Sequence, residues 1–136
     1  MCIRVDSPIT IVEGGTFNST FQWKTGLPVL PVDLTGYTAV GTVRAKKADD
    51  VPLLAIPNQV GPWVADGDTG IYIYPNGSPP DDQGKWRIYL KDSETAGMCA
   101  AHKDIIGVYD MFLSNPEGEA VLQMYGIATI IAAVTR

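Results

Sequence analysis

Cys99 and His102 stand three residues apart in "GMCAAHKD". A thiolate and an imidazole at that spacing can share a metal ion or act as nucleophile and base. A structural zinc site needs about four ligands, and His102 is the only histidine in the chain. A serine nucleophile would have to borrow the same imidazole, and no serine lies in a Gly-x-Ser-x-Gly elbow. The missing ligand set therefore predicts a half-buried thiol and a surface imidazole. Cys2 is the other cysteine, and a Cys2–Cys99 bridge is a pairing that sequence alone does not decide.

Carboxylates give no clearer chemistry. Acidic pairs occur at Asp49–Asp50, Asp66–Asp68 and Asp81–Asp82, and nothing selects one of them as an acid and base across a glycosidic bond. "DGDTG" at 66–70 begins like a calcium loop but lacks the later glutamate, and so reads as a solvated turn. "VEGGTF" at 12–17 has paired glycines without the Lys-Ser/Thr of a phosphate cradle, and so reads as a hairpin turn. The sequence predicts no catalytic residue, no metal and no cofactor.

Aromatic residues offer a different kind of site. Trp23 and Trp86 alternate with apolar neighbours and are expected in the core. In "GIYIY" (70–74), Ile71 and Ile73 would face inward, lining up Tyr72 and Tyr74 on the outside. With Trp63, which follows Gly61-Pro62, these tyrosines form a candidate contact row for a protein partner. Pro79 and Pro80, in the long loop 75–83, and Ile3 and Val5, in an extended N-terminal arm over residues 1–8, complete the candidate contacts. The alternative use of Trp63, Tyr72 and Tyr74 is stacking against sugars, as in a carbohydrate-binding module.

These side chains need elements to hold them, and 136 residues suffice for one domain with its own core. Hydrophobic residues make up 46% and charged ones 18%, a globular balance. A formal charge of −5 and no basic run longer than "AKK" exclude a nucleic-acid partner as the expectation. The first fifteen residues show no apolar leader, and no apolar run reaches the ~18 residues of a membrane span.

Two-residue periodicity dominates the chain. In "TFNSTFQWK" (16–24), Phe17, Ser19, Phe21 and Trp23 share one face. In 36–46, Tyr37, Ala39, Gly41 and Val43 point one way and Thr38, Val40, Thr42, Arg44 and Lys46 the other. Further strands are expected at 8–13, 52–56, 70–74, 84–91, 107–113 and 119–132. Asn-Pro-Glu-Gly at 115–118 should turn a hairpin between the last two. "PVDLTGY" (31–37) reads as a corner, with Asp33 and Thr35 bonding local amides, Gly36 reversing the chain and the Tyr37 hydroxyl capping a carbonyl. One short helix is expected near 93–102, capped by Asp92 or Ser93. Together these predict a single all-β domain over 1–136. It would be an antiparallel β-sandwich of immunoglobulin-like or Greek-key type, with a jelly roll as the alternative.

The order of these pieces resembles a known family. The Phe-rich first strand ending in Trp, the Asp-Leu-Thr-Gly-Tyr corner, "GKWRIYLKDSETAGM" and "GVYDMFLSNPEGEAVLQMYGIATIIAAVTR" together are similar to small β-sandwich proteins of tailed-bacteriophage structural modules. They also resemble the N-terminal domain of phage baseplate upper proteins, over about residues 12–136. The resemblance implies a non-enzymatic virion component, assembled in the host bacterial cytoplasm, homo-oligomeric in the particle and docked onto other virion proteins. The chain departs from the baseplate proteins in stopping directly after the sandwich. A tail, neck or baseplate adaptor that anchors a fibre and a capsid decoration protein therefore both stay open.

Overall fold

The computed structural model describes residues 3–25, 30–46, 52–59, 67–74, 84–99 and 103–132. In chain order these hold β1 (Ile3–Asp6), β2 (Ile9–Val12), β3 (Phe17–Gln22), β4 (Lys24–Thr25), β5 (Leu30–Pro31) and β6 (Thr38–Arg44). There follow β7 (Leu54–Ile56), β8 (Asn58–Gln59), β9 (Gly70–Ile73), β10 (Lys85–Leu90), a helical turn α1 (Asp92–Thr95), β11 (Ile105–Ser114) and β12 (Ala120–Ile131). The fold is all-β and sandwich-like, as the periodicity predicts.

The larger sheet runs β1–β12–β11–β6–β7, with β2 also paired to β12. The smaller runs β3–β10–β9–β8, and β4 and β5 form a separate ribbon. One core joins the two layers. Ile11, Val43, Met111, Leu113 and Ile130 of the larger sheet pack with Ile71, Trp86, Ile88 and Leu90 of the smaller. Strict alternation sends Gly107, Tyr109, Met111 and Leu113 inward from β11, against Ala128, Gly126, Met124 and Leu122 of β12. At the hairpin tip, the Asn115 side chain accepts the amides of Glu117 (3.1 Å) and Glu119 (2.9 Å), which fixes the turn.

The corner before β6 forms as expected. The Thr35 amide donates to Asp33 Oδ1 at 2.9 Å, the Tyr37 amide to the Leu34 carbonyl at 3.1 Å, and Gly36 takes φ 79°. A Cβ on Gly36 would lie 3.0 Å from Pro116 Cγ, so the corner sits on the tip of the β11–β12 hairpin. Tyr37 itself is half-buried against the core. Tyr72 and Tyr109 make hydroxyl-to-carbonyl clasps elsewhere in the fold.

Four features differ from the sequence reading, each for a physical reason. First, β1 and β2 pair with β12 in parallel, and β8 with β9 likewise, so the sheets are mixed. A parallel partner 119 residues away leaves no turn signature to read. Second, residues 3–6 are an edge strand rather than a free arm. Third, Gly14 and Gly15 turn the chain from β2 in one sheet to β3 in the other, so they make a crossing between layers and no hairpin. Fourth, the helix stops after Thr95, because Ala96 has already turned to extended backbone (ψ 132°) and sends Met98 and Cys99 into the core.

This layering predicts an asymmetric response to substitution. Leu113→Ala, at a fully buried site, should lower the unfolding free energy by about 2–5 kcal/mol. Ile106→Ser, on the opposite face of the same strand, should shift it by no more than about 0.5 kcal/mol. Urea titration of both variants measures the contrast, and equal losses would contradict the assigned faces.

Candidate functional site

Tyr72 does not present the exposed ring that the predicted row calls for. Tyr72 is only 6% exposed, although it lies on the outward side of the smaller sheet between Gln59 and Arg87. Its hydroxyl donates to the Asp68 carbonyl at 2.5 Å, which ties the segment leading into β9 over that face, and Tyr89 is buried beside it. Burial pushes the Tyr72 hydroxyl above its ordinary pKa, with the Asp68 carboxylate adding to the shift. Tyr74 is half-buried and accepts hydrogen bonds from Arg87, at 2.6 Å from Nη2 and 3.2 Å from Nε. The buried Tyr72 ring has no open face for a sugar. Trp63, Pro79, Pro80, His102 and Cys2 lie outside the described residues. Cys99 is buried, with its Sγ 3.8 Å from the Ile130 carbonyl oxygen. No group of three or more potential metal-ligating side chains occurs among the described residues.

Ile3 and Val5 do reach the surface, 44% and 40% exposed, but from a paired strand. They share the inward parity of Leu122 and Met124. Val5 lines a narrow cleft at the open edge between the layers, with Phe21, Trp23 and Trp86. Phe21 and Trp86 stack at 5.9 Å within it, and the Trp86 indole N–H has no hydrogen-bond partner among the described residues.

The outer face of the larger sheet carries several exposed large aliphatic side chains. Register across β6, β11, β12 and β1 sets Val40, Phe112, Gln123 and Arg4 in one row and Thr42, Asp110, Tyr125 and Asp6 in the next. A third row holds Arg44, Val108 and Ile127. Exposure reaches 55% at Val40, 74% at Ile106 and 52% at Ile127, so three large aliphatic side chains stand in water around a polar centre. A shallow depression of about 530 Å³ occupies that centre, lined by Arg4, Asp6, Arg44, Asp110, Tyr125 and Ile127 among others.

Its polar groups are already organised. The Arg4 guanidinium lies 4.9 Å from the Tyr125 ring centroid and donates through Nε to Gln123 Oε1 at 3.1 Å. Thr42 donates to Asp110 Oδ1 at 3.1 Å and accepts from Arg44. These contacts fix the positions of Arg4, Thr42, Arg44 and Asp110 on the face. A sequence signal for this face exists in "IIGVYDMFL" (105–113), where Ile106, Val108 and Phe112 break the polar half of the alternation. A strand apolar at both parities has a second face to cover.

Beneath this face, Tyr109 reaches across the Gly126 position to donate its hydroxyl to the Ser7 carbonyl. A Cβ at Gly126 (φ 154°) would lie 3.0 Å from both the Ser7 oxygen and Asp6 Oδ1, so only glycine leaves room for this close approach. Burial pushes the Tyr109 hydroxyl up to about 12, and the nearby Asp6 carboxylate adds to that shift.

No protein-family model matches the chain, and no curated protein matches it.

The Tyr109 clasp predicts an alkaline transition. A raised folded-state pKa contributes stability that is complete below the unfolded value of 10.0 and is lost as pH climbs through about 12. Between those limits the wild type should lose on the order of 2 kcal/mol more than Tyr109→Phe. Denaturant titrations at pH 9 and near pH 12 give the comparison, and parallel losses in both proteins would refute it.

Proposed function

We propose that this protein is a non-enzymatic structural accessory of a tailed-bacteriophage virion, docked onto neighbouring virion subunits through the outer face of its larger sheet. The observation that carries the reading is the set of exposed aliphatic side chains at Val40, Ile106 and Ile127 around an ordered polar centre. Large aliphatic side chains exposed together on one sheet face are what a protein partner covers, and the ordered polar groups between them can set its register. The sandwich supplies a rigid backing, since the inner side of the same strands is locked into the core. The order of the strand and corner motifs in the sequence supplies the virion context. Within it, a tail, neck or baseplate adaptor and a capsid decoration protein use the face in the same way.

Carbohydrate attachment is the competing use of such a surface, and the geometry favours it less. Sugar stacking needs an open aromatic face, and Arg4 covers that of Tyr125 while Tyr72 is buried.

The test is incorporation into particles. Ile106→Glu combined with Ile127→Glu places two carboxylates on the apolar rim and should reduce copies per particle at least about tenfold, at a cost below roughly 1 kcal/mol in the isolated protein. Occupancy equal to wild type would reject the face as the dock. Binding of the wild-type chain to a glycan array, lost in the same double variant, would replace this reading with the carbohydrate one.

A further inference from the structure

The N-terminal strand has a second side. The Ser7 amide donates to the Tyr125 carbonyl at 2.8 Å and the Glu13 amide to the Ile131 carbonyl at 2.9 Å. Both bonds follow the single offset of 119 that relates β1 and β2 to β12. Odd-numbered residues from 5 to 13 therefore turn their amides and carbonyls toward β12. Arg4 and Asp6 turn theirs outward. Among the described residues no strand pairs on that side. Pro8 shares the outward parity and has no N–H to donate, so it costs β12 no bond and ends the pairable edge.

We propose that β1 pairs antiparallel with β1 of a second copy of this chain, about a two-fold axis at Val5, so that the larger sheets of the two molecules become continuous. The segment Ile3-Arg4-Val5-Asp6 is self-complementary in this register and in no neighbouring one. With the axis at Val5, Arg4 stands opposite Asp6 of the second copy, and both belong to the outward-facing set. Each Arg4–Asp6 pair then exchanges both of its backbone hydrogen bonds and sets opposite charges side by side on the outer face. Moving the axis to Arg4 or to Asp6 places like charges directly opposite. Moving it by half a residue sets outward-facing residues against inward-facing ones, which cannot form a ladder.

Side-chain geometry supports the same register. Arg4 is held on the outer face by Gln123 and Tyr125, and its fork of five donors leaves groups free for a facing carboxylate. Val5 meets its own counterpart across the closer, non-hydrogen-bonded spacing and loses the exposure it has in the isolated chain. A four-residue edge buries less than the roughly 1,200 Å² of a stable interface, so the pair is weak in dilute solution and gains strength where copies are concentrated in an array. The pairing does not require the virion reading, because it uses the strand edge rather than the apolar rim.

Charge exchange tests it. Sedimentation velocity of the full chain, up to about 1 mM, should show reversible dimerisation by the wild type. Arg4→Asp gives acidic residues at both positions, and Asp6→Arg gives basic ones, so each variant alone should self-associate at least about tenfold more weakly. Mixed in equal amounts, the two should recover a heterodimer, since an acidic side chain of one variant then faces a basic side chain of the other in both cross-strand pairs. Because Arg4→Asp also removes the contact with Tyr125, its folding is checked by thermal midpoint. Asp6→Arg leaves that contact in place and carries the single-variant test independently. A wild type that stays monomeric throughout, single variants that associate as well as wild type, or a mixture no better than its components would each overturn the proposal.

Discussion

The fold depends on one parallel seam. From Ile3 to Glu13 the chain runs along β12 in a single register, across the interruption at Ser7 and Pro8. Without this seam β12 would be the bare edge of the larger sheet, and Ile9 and Ile11 would have no place in the core. The seam also positions the Ser7 carbonyl for Tyr109 and the Glu13 carboxylate for the Cys99 amide at 2.8 Å. Local turns cannot supply such a contact, because its two halves lie at opposite ends of the sequence. Closing so long a loop costs entropy that only the completed core returns.

From the seam follow two surfaces. On the broad side, four strands held in register display Val40, Ile106 and Ile127 together with the Arg4–Tyr125 stack. The narrow side is an open strand edge of alternating charge. Proteins commonly protect such edges with proline or charge, and here Pro8 protects one half while the charges of the other half complement each other when reversed. The proposed assembly role rests on these two surfaces, the face with its exposed aliphatic side chains and the open edge of β1.

Much of this architecture was legible in the residues. Alternation in 36–46 set Ala39 and Val43 on one face, which is the buried one, and Asn115-Pro116-Glu117-Gly118 marked the long hairpin. The corner at Asp33–Tyr37 was readable because its bonds span only two or three residues. What the sequence hid was long-range. Ile3–Asp6 looks like a loose arm until its partner is known, and Tyr72 looks exposed because alternation says which side it takes and not what covers that side. The outer face was missed for a related reason. Ile106 and Ile127 are ordinary strand residues one at a time and become a surface only when register sets them on neighbouring strands.

Residue-by-residue amide hydrogen exchange on the dilute chain examines the seam most directly. Amides of Val5, Ser7, Ile9, Ile11 and Glu13 should be protected, while those of Arg4, Asp6 and Thr10 exchange quickly, giving an odd–even pattern along one strand. Uniformly fast exchange from residue 3 to residue 13 would mean a free arm, and the account of both surfaces would fall with it.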